Sequence, residues 1–426
     1  MNSTRLLNFF RKCIPSLLIG CLCLWVLQNT EVRGDDGRVP SFSLQEIIDL
    51  TLLHNPMIEL SKGLIDEQTG KEMIAHAYPN PTLGIQSGYG RVQEPRGPSL
   101  IERYFSLSQP LVWPGTRAAG QQAAEAGVKG AQSGFEATQN NVKASAKHDF
   151  YELLLAQTLA DLASQLLHTV KDLEGAVKRR VESGEAPPFE GVKVKVELLQ
   201  AQKQVEQTAG KVRTIKGALN QLTAGNLGEQ FAIRGDFESK NPPMDELSLV
   251  ETAFQQHPEI QKLQRFIESA NAHYAQEQQA RVPNVTISGA YQRDAGREGF
   301  VGGISLPLPI WDQRQGDIAK ALGLRRQAEA NLIQAKISLK RGIAEQVQIA
   351  KTASAQINTF EQGLLKQAKE AVRIARTSFK FGEASLLDVL DGQRVLWQTF
   401  QGYAQARFEL AIALTELERL VGKELS

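Results

Sequence analysis

Ser183-Gly184-Glu185-Ala186 and Phe381-Gly382-Glu383-Ala384 are the two stretches whose reading decides the fold. They are separated by 382 − 184 = 198 residues. Ala218-Leu219-Asn220-Gln221-Leu222 returns at the same shift as Glu416-Leu417-Glu418-Arg419-Leu420. Upstream, Asn55-Pro56 echoes His257-Pro258, and Tyr78-Pro79-Asn80 echoes Val282-Pro283-Asn284. A period near half the chain is far longer than the roughly 20–50 residues of a solenoid repeat. It indicates one structural unit duplicated and fused. Such a chain fills two equivalent places in a ring or bundle.

Working outward from the two Gly-headed turns, the flanking segments read as very long helices. No proline occurs from Arg117 to Glu182. Apolar residues step by four and three through Leu155, Leu159, Leu162, Leu166, Leu173 and Ala176, which is a coiled-coil seam. Phe189 to Ala224 is helical again, so the pair forms a hairpin. The second copy repeats this with one helix from about Gln315 to Phe381. Its return carries Leu396, Phe400, Tyr403, Leu410, Leu414, Leu417 and Val421 on one seam, broken once by Arg407. Each copy opens with a shorter helix, Leu44 to Ala77 and Asp245 to Arg281. Asn55-Pro56 and His257-Pro258 kink or end its first turns, because a residue before proline avoids α geometry. Gly120, Gly127 and Gly134 are seven apart, as are Gly210 and Gly217. Each glycine costs nearly 1 kcal/mol of helix propensity against alanine. Either helices approach closely there or the long helix tolerates the cost.

Between the first and second helices of each copy the period changes to two. Leu83, Ile85 and Tyr89 alternate with Thr82, Gln86 and glycines; Phe105 and Leu107 alternate with Ser106 and Ser108. In copy two, Val285, Ile287 and Tyr291 alternate with Thr286, Ser288 and Ala290, and Phe300 to Leu308 carries Ile304 and Leu306 on one side. These read as two hairpins, with loops at Arg91–Arg103 and Arg293–Gly299. Strands apolar on one side and small or polar on the other suit a membrane β-barrel. Trp113 and Trp311 lie just past the outgoing strands, where an interfacial belt belongs. The other reading is a soluble hairpin beside a helical bundle. Four strands cannot close a barrel, and open edges are not viable in lipid. The membrane reading therefore requires oligomerisation: three chains, as a homotrimer, would give about twelve strands above a ring of helices.

The N-terminus reads as an export signal. Arg5, Arg11 and Lys12 precede an apolar run from Ile14 to Leu27, shorter than the ~18 residues of a spanning helix. Leu18-Ile19-Gly20-Cys21 resembles a bacterial lipobox, which would leave Cys21 acylated; the alternative is a plain signal peptide cut before Asp35. All three cysteines (Cys13, Cys21, Cys23) lie in this segment. The body therefore has no disulfide framework and no thiolate metal site.

Lys and Arg number 48 against 47 Asp and Glu, a formal net charge of +1. No whole-chain field points to nucleic acid. No nucleophile constellation and no phosphate loop appears, so neither an enzyme nor a cofactor is expected. The six histidines (His54, His76, His148, His168, His257, His273) are scattered, with no pair at helix-ligand spacing. None is assigned to metal.

From Phe42 to Leu425 the chain resembles the TolC family of outer-membrane efflux proteins. Leu44-Gln45-Glu46 with Asn55-Pro56, the strand pairs and the two Gly-Glu-Ala tips carry the likeness. Within that family it is most similar to the CzcC-like heavy-metal branch. The residues that suggest this are Arg281-Val282-Pro283-Asn284-Val285, Gly303-Ile304-Ser305-Leu306-Pro307-Leu308-Pro309-Ile310, and Gln315-Gly316 with Ala319. The resemblance implies a mainly α protein with membrane β. It would be a trimeric 12-stranded β-barrel in outer-membrane lipid, continued by a periplasmic α-helical barrel. It divides the chain into a signal peptide (1–34), a first efflux repeat (42–224), an inter-repeat equatorial segment (225–244) and a second repeat (245–425).

The implied partners are a periplasmic adaptor and an inner-membrane RND pump. The implied role is passive conduction, here of divalent heavy-metal cations. Export of drugs or of proteins by type I secretion is the alternative within the class. A periplasmic adaptor or a structural coiled-coil protein is the alternative outside it. By resemblance, Gly184, Glu185, Ala186, Gly382, Glu383 and Ala384 are adaptor-docking tips. Asp388 and Asp391, in Leu387-Asp388-Val389-Leu390-Asp391-Gly392, inherit the periplasmic entrance gate. The family's cationic latch residue has no counterpart at Ala384. Rings of Asp388 and Asp391 in a narrow pore would favour cations. As solvated acids near a helix N-terminus they would be favourable in any case.

Overall fold

A computed structural model describes residues 39–91, 99–237, 245–294 and 297–425. The expected signal segment and Cys21 lie outside them.

The short opening helices form where the sequence supplies caps. After the two-residue strand β1 (Ser41–Phe42), α1 (Leu44–His54) begins at Ser43. The Glu46 N–H donates to the Ser43 hydroxyl, and the Ser43 N–H donates back to the Glu46 carboxylate. Helix α2 (Pro56–His76) follows without a linker. The Asn55 side-chain oxygen accepts the Met57 N–H at 2.9 Å, while its amide nitrogen donates to the Leu222 carbonyl. Asn55 thus ends one helix, caps the next and ties both to the end of the hairpin.

Next come β2 (Thr82–Arg91) and β3 (Ser99–Leu111). Helix α3 (Pro114–Glu182) has 69 residues, roughly 100 Å at 1.5 Å each. It turns into α4 (Pro188–Leu222). Strand β4 (Ala232–Ile233) pairs parallel with β1. The second copy has α5 (Glu246–Gln256), α6 (Pro258–Gln279), β5 (Val285–Asp294), β6 (Arg297–Ser305), α7 (Gln315–Thr359), α8 (Leu365–Lys380) and α9 (Leu386–Val421).

Four expectations change. The loops are shorter than read, because β3 already starts at Ser99 and β5 runs to Asp294. Strand β6 stops at Ser305 rather than Leu308, since Pro307 and Pro309 have no N–H for a ladder. The two hairpins are not separate: β3 pairs antiparallel with β5, giving one sheet of order β2-β3-β5-β6. The helix expected from Gln315 to Phe381 is interrupted by a π-helical stretch, Phe360–Leu364, between α7 and α8. There Phe360 packs edge-on to Tyr403, directly over Gly402.

The seam of α3 is also rotated. Leu159, Leu162 and Leu166 are only half-buried, whereas Leu153, Ala156, Ala163, Val170 and Val177 lie deepest. Helix α3 is packed by α2, α4, α6 and α9. Several neighbours rather than one partner therefore set which face of α3 is packed. Of the heptad glycines, Gly120, Gly127 and Gly134 lie against the side chains of Gln276, Gln68 and Lys262. Nothing stands within 4 Å of a Cβ built on Gly210 or Gly217. Close approach explains the first set, and tolerance the second.

The main core surrounds Phe150, Tyr151 and Leu153, with Ile47, Leu219, Leu227, Phe231 and Ala411. The irregular stretch after α4 is therefore packed: Phe231 is 1% exposed, and its carbonyl accepts from Lys216 at 2.6 Å. Arg407, the break in the α9 seam, pairs with Asp236 at 2.9 Å and covers the Phe237 ring. A second core joins α5, α6, α7 and α9 around Ile343, Val347 and Leu417.

Candidate functional site

Two ends of the molecule carry the functional geometry. At the sheet end, paired residues share a face, so the register sorts them. Ile85, Phe105, Tyr291 and Phe300 form one row across all four strands. Leu83 with Leu107, and Ile287 with Ile304, extend the same face. Apart from the half-buried Tyr291 these side chains are exposed: Ile85 66%, Ile304 74%, Phe300 88%. The opposite face carries Gln86, Tyr104 and Gln292 in one row and Ser108, Ser288 and Gly303 in another. Strands β2 and β6 each have one neighbour, so both edges of the sheet are open. Trp113 and Trp311 are exposed at the base of the sheet. Among the described residues no helix is long and apolar enough to cross a membrane. The apolar surface of membrane type belongs to the strands.

At the other end, both turns are built alike. Gly184 and Gly382 each have φ +78°, the left-handed region open to glycine. The N–H of Glu185 donates to the Arg180 carbonyl and that of Gly184 to Val181. At a shift of 198, Glu383 donates to Ser378 and Gly382 to Phe379. This is the Schellman closure of a helix C-terminus, twice over. The two tips stand side by side. Leu173, Val177 and Val194 of the first hairpin share a core with Phe379, Leu386 and Val389 of the second. Ala186 is buried, while Gly184, Glu185, Gly382 and Glu383 are exposed and Ala384 is half-buried. A groove of about 620 Å³ runs between the tips, lined by Arg179, Arg180, Arg376 and Lys380 against Asp172 and Glu185.

Asp388 and Asp391 lie three residues apart on α9, both exposed. Asp388 closes a capping box, accepting from the Ser385 hydroxyl at 2.7 Å and the Ser385 N–H at 2.8 Å. Those bonds hold its carboxyl below the usual carboxylate range. Asp391 is paired with Arg394 one turn on. Beside it, Gln393 is buried with both amide atoms unpartnered, in a groove shared with Leu166, Lys193 and Glu197.

Sequence reading missed the cationic groove, although Lys178-Arg179-Arg180 just before the first turn was a visible signal. It missed Arg394 as the partner of Asp391, although the i, i+3 spacing was legible. The burial of Gln393 had no signal in the sequence.

One chain thus carries an open sheet with an exposed apolar face at one end of a long helical stem. The profile of the outer membrane efflux protein family matches residues 47–225 and 249–423, and the chain belongs to that family. It is 26% identical over 384 residues to the cobalt-zinc-cadmium resistance protein CzcC of Cupriavidus metallidurans, covering 89% of this chain and 90% of that one. It is 22% identical over 373 residues to the outer membrane protein TolC of Vibrio cholerae, covering 80% and 82%. The fold matches the crystal structure of CusC with a TM-score of 0.78 at 15% identity, over 90% of this chain and 93% of that one. It matches VceC from Vibrio cholerae with a TM-score of 0.76 at 18% identity, over 90% and 97%. The chain is thus an efflux channel of the Gram-negative outer membrane, not an enzyme.

Proposed function

We propose that three copies of this chain close a twelve-stranded barrel and conduct divalent heavy-metal cations from a periplasmic adaptor and RND pump to the exterior. The observation that carries this is the four-stranded sheet, apolar and exposed on one face and unpaired at both edges. Backbone groups at such edges are not viable in lipid, so neighbouring copies supply the missing partners. The likeness to a cobalt-zinc-cadmium resistance protein supports the cargo. The paired Gly-headed tips and the cationic groove between them would receive the adaptor. Asp388 and Asp391 would line the periplasmic entrance, with Arg394 moderating the charge of Asp391.

Deleting the gene and measuring growth in zinc, cobalt, cadmium and copper beside a panel of drugs tests the cargo. Selective loss of metal tolerance is expected; drug sensitivity alone would overturn it. The entrance is tested with Asp388→Asn plus Asp391→Asn in planar bilayers. Asparagine leaves an oxygen for Ser385 while removing both charges. A fall in cation preference is expected, and unchanged selectivity and conductance would remove the gate assignment.

A further inference from the structure

We propose that Glu72, His76 and Glu125 form a binding site for a divalent cation of the zinc, cobalt or cadmium type, bridging α2 and α3. The potential ligand atoms of the three side chains all lie within 4.8 Å of one another. His76 Nε2 stands 3.6 Å from Glu125 Oε1. Ligands at about 2.1 Å in a tetrahedral arrangement stand about 3.4 Å apart, so this pair is already near its spacing. Glu72 and His76 are four residues apart and share one face of α2. Glu125 reaches the same point from α3.

The donor set selects the ion. One imidazole with two carboxylates suits borderline divalent ions, whereas magnesium and calcium prefer oxygen alone. His76 is the last residue of α2, where the exposed carbonyl end of a helix favours positive charge. Arg117 donates to the His76 carbonyl at 2.6 Å and lies 3.6 Å from the centre of the Tyr78 ring. It therefore anchors the helix end without occupying a ligand. Lys71 is taken by Glu67 at 2.6 Å. Among the described residues neither Glu72 nor Glu125 is paired with a lysine or arginine. A second group, His148, Asp149 and Glu152, differs in this respect. There Lys211 already neutralises Glu152 at 2.8 Å, and His148 is bonded to Asp149.

The duplication gives an internal comparison. Tyr78-Pro79-Asn80 corresponds to Val282-Pro283-Asn284 (282 − 78 = 204), which places Glu72 and His76 opposite Gln276 and Ala280. Trp113 corresponds to Trp311 (311 − 113 = 198), which places Glu125 opposite Gly323. The second copy builds the same helices with none of the three ligands. The trio is therefore an addition to the fold rather than a requirement of it.

The physiological meaning of the site rests on the metal cargo proposed above, but the binding itself can be measured separately. The full chain, purified in detergent as its native oligomer, is titrated with zinc, cobalt and cadmium by calorimetry. Cobalt absorption reports the coordination. Binding of one ion per chain is expected. His76→Ala should weaken it at least about tenfold, and Glu125→Gln comparably. His148→Ala should leave it unchanged. The proposal is overturned if wild type binds no ion, if His76→Ala and Glu125→Gln both bind as wild type does, or if His148→Ala abolishes binding. His76-dependent binding in a protein whose loss leaves metal tolerance intact would retire the cargo and keep the site. Metal sensitivity of the deletion strain without binding would do the reverse.

Discussion

His257 occupies in the second copy the post that Asn55 holds in the first, and its ring makes that post sensitive to pH. Its Nδ1 accepts the Glu259 N–H at 3.2 Å, which requires an unprotonated nitrogen. Burial, and then the charge of Arg419, hold the imidazole below its ordinary value. The unfolded chain therefore takes up a proton first as pH falls. The stability from His257 is complete above about pH 6.5 and is lost as pH falls through the depressed folded value. His257→Asn keeps a capping oxygen and should flatten this slope. Its melting temperature should drop less than that of wild type between about pH 7.5 and 5.5; equal drops would exonerate His257. His148 works in the opposite sense, because its hydrogen bond to Asp149 leads the causes that raise it. It stabilises below about pH 6.5, and that contribution fades as pH rises through the raised folded value. His148→Ala should therefore steepen the acid loss. In the core, Phe231→Ala should cost about 3–5 kcal/mol by denaturant unfolding, because the ring is fully packed between α1, α3 and α4.

Among the elements, glycines separate by what surrounds them. Gly210 sits inside α4 with open space where a Cβ would go. Gly210→Ala should stabilise the chain by up to about 1 kcal/mol. A loss instead, seen only in the assembled protein, would place a neighbouring chain on that face. Gly422 closes α9 at φ +77°, with the His257 Cα 3.1 Å from a built Cβ. Gly422→Ala should destabilise by at least about 1–2 kcal/mol, because both conformation and contact resist it. The tips follow the same physics, but there the strain would be read as lost adaptor crosslinking. Much at this scale was legible. Asn55-Pro56 and His257-Pro258 marked the breaks where α1 gives way to α2 and α5 to α6, and the change of period from helical to two located every strand of the sheet. The π-helical stretch at Phe360–Leu364 was not legible. Within it Phe360 meets Tyr403 and Gly402, which lie some forty residues away along the chain.

For the whole molecule, the open edges of β2 and β6 make a claim about stoichiometry. The detergent-solubilised particle should contain three chains and run as a heat-modifiable species. A monodisperse single chain would leave both edges unsatisfied in lipid and sink the barrel. The body beyond the N-terminal segment has no cysteine, so single cysteines placed on β2 and β6 can report that neighbour by crosslinking without background.

The sequence by itself determined the duplicated helix–strand–helix order, the Gly-headed tips and the amphipathic strands, because each depends on local spacing and on backbone rules that act within a few residues. Only the tertiary structure decided that the two hairpins form one sheet through β3 and β5, that the line through Leu153, Ala163, Val170 and Val177 rather than the one through Leu159, Leu162 and Leu166 lies deepest on α3, and that Arg407 fastens α9 to Asp236. It also brought Glu125 to Glu72 and His76. Those outcomes depend on which surfaces meet across about fifty to two hundred residues of chain, and in long helices that choice is set by packing against several neighbours at once.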